Sequence, residues 1–463
     1  MNSDALNSIA IVGNDLAAWM AAALLAAQTT HPLVKVRIYT GVDSPIDSAI
    51  QTPLPDFSGF LTELGISVQE LVNECSALPT LGGCYHFQSE SFYHIWGEYG
   101  AARGAIEFHQ LYIRAIREGN VIALNELSIA AVAAAKNRFA MPEANKLSIR
   151  STYETSCSFS TQAFIQLLQR RCRECGVEVD ERDVNEIVSN GDRSAIVLCS
   201  GESFPSDFIF NSCPLLRSDT SQYESWQAQL PFYCSEKKVT PISAQRLVAD
   251  ITFGEDYWDF TQYSRGYAEI SRYTSISNDS VGFLANADSH AGCLLNPRVH
   301  QVIHLGRAAI KMSSPLFSEA DLIWVALRAG LKFYPALNES AAVAAEYNHL
   351  VVDSYRNLRD ITQMSLILVG RKFPGFFLQA GQSPQSDQLM HKLALFSYRG
   401  KIPSYENDVF KIQWQVWLLL GFGLIPDCTE PISMHMNSTE MMSVINKVKY
   451  AVGREAALLP VFH

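Results

Sequence analysis

The sequence predicts an α/β fold built on a dinucleotide-binding core. Three stretches carry that expectation: an apolar strand, Ile9 to Val12, ending in Gly13; an Ala/Leu-rich helix over 16–27; and an alternating second strand, Val34 to Tyr39. A short apolar run closed by glycine suits a buried parallel strand, and alanine and leucine are strong helix formers.

The turn between the first strand and helix carries the cofactor question. A dinucleotide-binding turn reads G-x-G-x-x-G, for a tight bend, close approach of the pyrophosphate and close helix–strand packing. Here those positions are Gly13, Asp15 and Ala18, with Asn14 inside the turn and Trp19 just after it. Asp15 has two readings. Its carboxylate can compete with a diphosphate for the helix N-terminus, or Asn14 or Asp15 simply caps the helix. The second strand ends in Thr40, where the fold wants an acid for the adenosine ribose; Asp43 lies close by.

At 463 residues the chain exceeds what one core usually supports, so at least two subdomains are expected. With 48% hydrophobic and 18% charged residues it reads as globular with a large core. A net charge of -11 without a basic block argues against nucleic acid or anionic membrane as a partner. The N-terminus lacks the basic region of a secretory signal, and the apolar stretch from Trp414 to Pro426 falls short of the ~20 residues of a spanning helix. The expectation is a soluble, cytoplasmic protein. Ten cysteines are scattered; only Cys172 and Cys175 are close, on one predicted helix without a second pair, so no metal site is expected.

After the second strand, Asp56 to Gly65 has helical spacing with Asp56 as cap and Gly65 as stop, and a second helix follows over 67–75. The region from Ala77 to Gly100 is rich in glycine and aromatics, and it holds His86 and His94, with His109 opening the next helix. Such a cluster can line a pocket for a planar substrate, although core and interface aromatics are the commoner explanation. A helix over 161–175 and a hairpin at Ser189-Asn-Gly-Asp192 come next, and Asp207 to Ser212 reads as a strand returning to the first domain. Met434, Met436, Met441 and Met442 flank a C-terminal helix and suit core packing.

Several segments together resemble the flavin-dependent tryptophan halogenase family. They are Val12-Gly13 with Ala18-Trp19-Met20-Ala21-Ala22, Pro55 to Ile66, Leu81-Gly82, His94-x-Trp96-Gly97-x-x-Gly100 and Phe108-His109-Gln110. Cys157 to Thr161, Ile303 to Ala309, Ser314 to Ser318 and the segment from Trp414 continue it, so the similarity covers nearly the whole chain. The resemblance implies an FAD/NAD(P)-binding Rossmann-like core of the flavin monooxygenase type with a substrate-covering region and a helical C-terminal part. The core would take 1–50, 150–215 and 290–335, the substrate-covering region 51–149 and 216–289, and the helical part 336–463. It also implies FAD, held at Gly13, Asn14, Asp15, Ala18, Trp19 and Thr40 and at a second turn with Gly306 and Ala308. A separate flavin reductase and a small aromatic substrate or peptide aromatic, met by His94, Trp96 and His109, complete the picture.

In that family hypohalous acid formed at the flavin travels through a tunnel to a lysine just before Leu-Gly, with a glutamate after Pro-Leu as its partner. The matching positions are Thr80 and Phe317. A threonine hydroxyl supplies neither the positive charge nor the nucleophilic nitrogen of lysine. Three readings stay open: an FAD-dependent oxidoreductase acting on an indole or other aromatic with changed chemistry; a catalytically degenerate binding protein using the aromatic pocket; and a halogenase whose lysine comes from elsewhere in the chain.

Overall fold

The computed structural model describes residues 8–28, 34–42, 46–87, 90–189, 194–217, 222–255, 257–275, 290–333, 340–372 and 383–462. Asp43 and the Asn190–Asp192 turn lie outside the described residues. The chain divides into two compact units: residues 1–77, 158–227 and 278–356 form one, and 78–157, 228–277 and 357–463 the other.

The first unit is built on an eight-stranded sheet. Its centre is parallel, in the order Glu178–Ser189, Lys35–Gly41, Ser8–Val12, Phe208–Asn211, Val302–His304. Antiparallel strands finish both sides, including Ser194–Leu198, whose Ser194 faces Ser189 across the expected hairpin. Central parallel strands are buried on both faces, which is why they read as unbroken apolar runs. Ile9, Ala10, Ile11 and Val12 are all buried, with Ile11 between Ile38 and Phe210.

The first helix, Leu16–Gln28, is buried from Leu16 through Leu25. A helix apolar on every side belongs inside a core, and this one needs its alanines to fit there. The helix expected from Asp56 is instead a 3₁₀ turn, Pro55–Phe57, running into Ser58–Glu63 without a side-chain cap. Asp56 pairs with Arg328 instead, and Gly65, at φ +61°, ends the segment as expected. Ser67 caps Val68–Glu74, and Ser160 caps Thr161–Glu174.

The second unit holds a six-stranded sheet in the order Phe232–Pro241, Tyr267–Ser275, Tyr257–Ser264, Ala249–Phe253, Gly82–Phe87, Glu90–Ile95. Only the Ala249–Phe253/Gly82–Phe87 pair is parallel. Strand side chains alternate between faces. One face therefore gathers Tyr85, Phe87, Phe92 and Phe253, and the Phe422 ring meets Tyr85 edge-on at 5.0 Å. Phe422 ends the helix Ile412–Gly421, and Gly421 lets the helix approach: a Cβ there would stand 2.1 Å from the Phe92 ring. Arg114, on the helix Phe108–Arg117, ties down the last part of the chain by donating to the Ser433 and Met436 carbonyls, each at 2.6 Å.

Gly421→Ala should therefore overpack this contact and cost about 1–3 kcal/mol. Thermal melts check it: the transition falls in the single variant and recovers in part when Phe92→Leu is added. No change in the single variant would mean the contact is loose.

Candidate functional site

In an open parallel sheet, ligands bind beyond the carboxyl ends of the strands, where neighbouring connections part. Three such ends lie side by side here: Val12 leads into Gly13, Asn211 into Ser212, and His304 through Leu305 into Gly306. Gly13 has φ +146°, and an added Cβ would meet Ser212 Oγ at 1.9 Å and Ala18 Cβ at 3.0 Å. Ser212 donates its N–H to the Val12 carbonyl at 2.9 Å, and Gly13 N–H donates to the Tyr39 carbonyl at 3.0 Å. Gly306 opens a 3₁₀ turn, Gly306–Ala308, with φ +50°, and its Cβ would lie 2.7 Å from Ala17 Cβ. The two turns expected to meet a cofactor are thus held against the same first turn of one helix.

Asp15 is the N-cap of that helix. Ala18 N–H donates to its Oδ1 at 2.9 Å, while Asn14, exposed, accepts from Trp19 Nε1 at 3.0 Å. The carboxyl is 4% exposed, so it lies inside the turn rather than on its outer surface. Burial raises its pKa, opposed by the Ala18 N–H, the Ser212 side chain and the charge of Arg307. Of the two readings of Asp15, the structure gives the cap.

Arg307 also pairs with Asp47 at 3.1 Å, and Arg217 donates to the Ala308 carbonyl at 2.8 Å and to the Arg307 carbonyl, fixing the second turn. Thr40, half-buried, donates its hydroxyl to the Asp180 carbonyl at 3.4 Å. Ser212, Arg217 and Arg307 were not anticipated from sequence: a serine and two arginines in separate turns show no spacing signal. The residues present fit a dinucleotide at the backbone level. The tight glycines and the close helix start are kept, and the one acid among them is turned inward, at the expense of the Ala18 N–H.

Phe317 is buried beside the start of the helix Glu319–Lys332. Ser318 caps that helix, and Asp321 completes a capping box. Asp321 accepts from Leu54 N–H at 2.8 Å and from Ser318 N–H and hydroxyl at 2.8 and 2.9 Å. Burial nonetheless pushes its pKa up to about 7. Ser318-x-x-Asp321 ahead of an apolar run is a legible capping signal, so this acid could have been placed from sequence.

Thr80 belongs to the other unit. It ends the strand Leu78–Thr80 and is 3% exposed, and its Oγ1 has no hydrogen-bond partner. A buried hydroxyl left unpaired costs about 1–3 kcal/mol. Nearby in sequence, Gly82 at φ +140° lies so close to the last strand of the sheet that a Cβ would stand 2.3 Å from the His94 carbonyl oxygen.

His94 and His109 are both buried and both meet the helix Ile412–Gly421 or its approach. His94 Nε2 donates to the Trp414 carbonyl at 2.8 Å, and its ring stacks on Phe410 at 5.9 Å. Burial drives its pKa down to about 4, so the imidazole is neutral. His109 Nε2 donates to the Gly400 carbonyl at 2.9 Å, and its ring stands edge-on to Trp417 at 6.1 Å; burial lowers its pKa too. Trp414 and Trp417, three apart, lie on one side of their helix, which brings His94 and His109 to neighbouring turns. Trp417 Nε1 is buried without an acceptor. Trp96 is buried, its N–H donating to the Leu81 carbonyl at 2.8 Å. His86 stands apart, bonded to Asp250 at 2.8 Å.

A sequence model described as tryptophan halogenase matches residues 8–232 and 292–438. Among curated proteins none matches the chain in sequence. Similar solved structures include BrvH, a flavin-dependent halogenase from Brevundimonas sp. BAL3, at 19% identity and TM-score 0.88, covering 99% of this chain and 98% of that one. Xcc4156, a flavin-dependent halogenase from Xanthomonas campestris, superposes with TM-score 0.88 at 17% identity, covering 99% and 97%. The tryptophan 6-halogenase SttH from Streptomyces toxytricini reaches 0.84 at 15% identity, covering 98% of both chains. At these identities the likeness establishes the fold.

The inward carboxyl of Asp15 gives a stability prediction. Because its folded pKa is raised, its contribution is fully present below the ordinary carboxyl range, near ~4, and is lost as pH rises through the folded value. Asp15→Ala should lose about 1 kcal/mol with the cap at neutral pH. Asp15→Asn keeps the cap and should be at least as stable as the parent there. Melts across the neutral and mildly acid range check this; equal losses in both variants would show that the ionised carboxylate is needed.

Proposed function

This chain belongs to the tryptophan halogenase family, and from that premise we propose that it is a flavin-dependent oxidoreductase acting on an indole or similar aromatic without the lysine–glutamate chemistry of halogenation. The observation that carries the reading is the preserved pair of turns, Gly13 against Ser212 and Ala18, and Gly306 against Ala17, combined with Thr80 and Phe317 at the two catalytic positions.

FAD, when bound and reduced by a separate reductase, supplies two-electron activation of oxygen. The chain would hold it through the backbone of the Gly13–Ala18 turn, with Trp19 behind it, Thr40 towards the ribose, and Gly306 to Ala308 on the second side. Helix N-termini favour anions, and Arg307 adds positive charge close to the Asp15 carboxyl. Thr80 Oγ1 can donate one hydrogen bond to an oxygen atom, but it carries no charge and forms no nitrogen–halogen bond. Phe317 offers no carboxylate. His94, held neutral, would orient rather than transfer a proton, and an aromatic substrate would lie beside the buried rings of Trp96 and His109. The Thr80 hydroxyl and Trp417 N–H are among the buried polar groups without a hydrogen-bond partner in the chain, and both are available to a ligand. Among the described residues no helix is long and apolar enough to cross a membrane.

Titration of the purified chain with oxidised and dithionite-reduced FAD tests the cofactor. Saturable binding is expected, and Asp15→Asn, which keeps the cap without any charge, should bind at least as tightly as the parent; a tenfold gain corresponds to about 1.4 kcal/mol. Absence of saturable binding of either form would overturn the reading in favour of a binding protein.

Thr80→Lys alone should give no halide-dependent product from indole or tryptophan with a reductase present, because position 317 still lacks the acid. A halogenated product detected by mass spectrometry in that variant, or in the parent, would overturn the assignment.

A further inference from the structure

The six-stranded sheet of the second unit has two chemically different faces. Opposite its aromatic face, the same alternation gathers Cys84, His86, Ser91, Tyr93, Asp250 and Tyr263. The pairing sets this: Cys84 lies across from Tyr93 on one side and Asp250 on the other, and His86 lies across from Ser91. Cys84 and His86, two apart on one strand, therefore point the same way as Asp250 on the next.

A sulfur, an imidazole nitrogen and a carboxylate oxygen from Cys84, His86 and Asp250 all lie within 4.8 Å of one another. Among the described residues no other group of three such side chains meets this closely. We propose that Cys84, His86 and Asp250 form a binding site for a single divalent transition-metal ion of the zinc type, with the fourth position open to water.

The chemistry of the donors selects the metal. Thiolate with imidazole and carboxylate suits zinc, whose bonds of about 2.0–2.3 Å put neighbouring ligand atoms roughly 3–4 Å apart. His86 Nε2 and Asp250 Oδ1 are 2.8 Å apart, so a metal takes the place of the proton now shared between them, and small side-chain rotations close the remaining gap from sulfur. The thiol proton and the shared proton leave to solvent as the ion enters.

The surroundings supply the outer contacts that metal ligands need. His86 Nδ1 is 3.0 Å from Ser91 Oγ, which fixes the ring so that Nε2 faces Asp250. Tyr263 donates its hydroxyl to Asp250 Oδ2 at 2.6 Å, leaving Oδ1 towards His86. Arg246 donates to Oδ1 at 2.7 Å and favours the ionised carboxylate before an ion enters. Cys84 is fully buried while the His86 side chain is 34% exposed, so the ion enters past His86.

Cobalt(II) is the probe, because it reports sulfur ligation through a thiolate-to-metal absorption in the near ultraviolet. Metal-free chain should take up one cobalt with that absorption, and zinc should displace it. His86→Ala, at a half-exposed position, should stay folded by circular dichroism and lose more affinity than the roughly 10–100-fold that an outer-contact loss costs. Cys84→Ser should abolish the sulfur absorption, whereas Cys175→Ser, at an exposed cysteine, should keep it. Absence of the absorption in the parent, or its persistence in His86→Ala, would overturn the site even where Cys84→Ser fails to fold.

Discussion

The close approach of three backbone segments at the carboxyl ends of neighbouring parallel strands is the constraint on which the first unit depends. Gly13 can adopt φ +146° and lie beside Ser212 only because it has no side chain, and Gly306 rests on Ala17 for the same reason. These contacts fix where the first helix begins. They also explain its run of alanines: larger residues at 17 and 18 would push both turns outward, and the helix is too deeply buried to shift.

Two buried carboxyls stand at helix starts in this unit, and both show desolvation prevailing over hydrogen bonding. Asp15 caps the first helix, and Asp321 completes the capping box that Ser318 opens on Glu319–Lys332. Each accepts backbone N–H groups, which favours the charged form, yet burial raises both pKa values, Asp321 to about 7. Raised values mean that the stability each contributes is largest in acid, below the ordinary carboxyl range, and falls as pH climbs through the folded value. For a carboxyl in the interior, the cost of desolvating the charge thus outweighs what the helix N–H groups return.

Much of the core was legible because its elements carry local signals. The apolar run at Ile9, the helix after Asp15, the alternating second strand and the Asn-Gly hairpin each follow from residue spacing, and their pairing into a parallel centre follows from burial on both faces. Asp56 misled because Pro55 sets a 3₁₀ turn before the helix, and the carboxylate turns to Arg328. At the candidate site, the glycine positions were readable, but the direction of Asp15 was not, since capping and phosphate blocking use the same side chain at the same place. Ser212 and Arg307 lie in turns more than 190 positions after Gly13 in the chain; only the pairing of the strands before them brings them to it. Cys84, His86 and Asp250 meet only through strand register, which the glycine- and aromatic-rich sequence around 77–100 does not show.

In the second unit, position 80 is a place where a neutral side chain costs less than a cation. Thr80 occupies a buried strand end, where an ammonium would need either a carboxylate or a well-solvated tunnel to offset its desolvation. Phe317, in the first unit, is buried and uncharged as well. What remains at position 80 is a neutral hydroxyl whose hydrogen-bonding capacity the protein leaves unspent. A group of that kind can bind and orient an oxygen-bearing molecule, and it carries no charge with which to polarise an oxidised halogen.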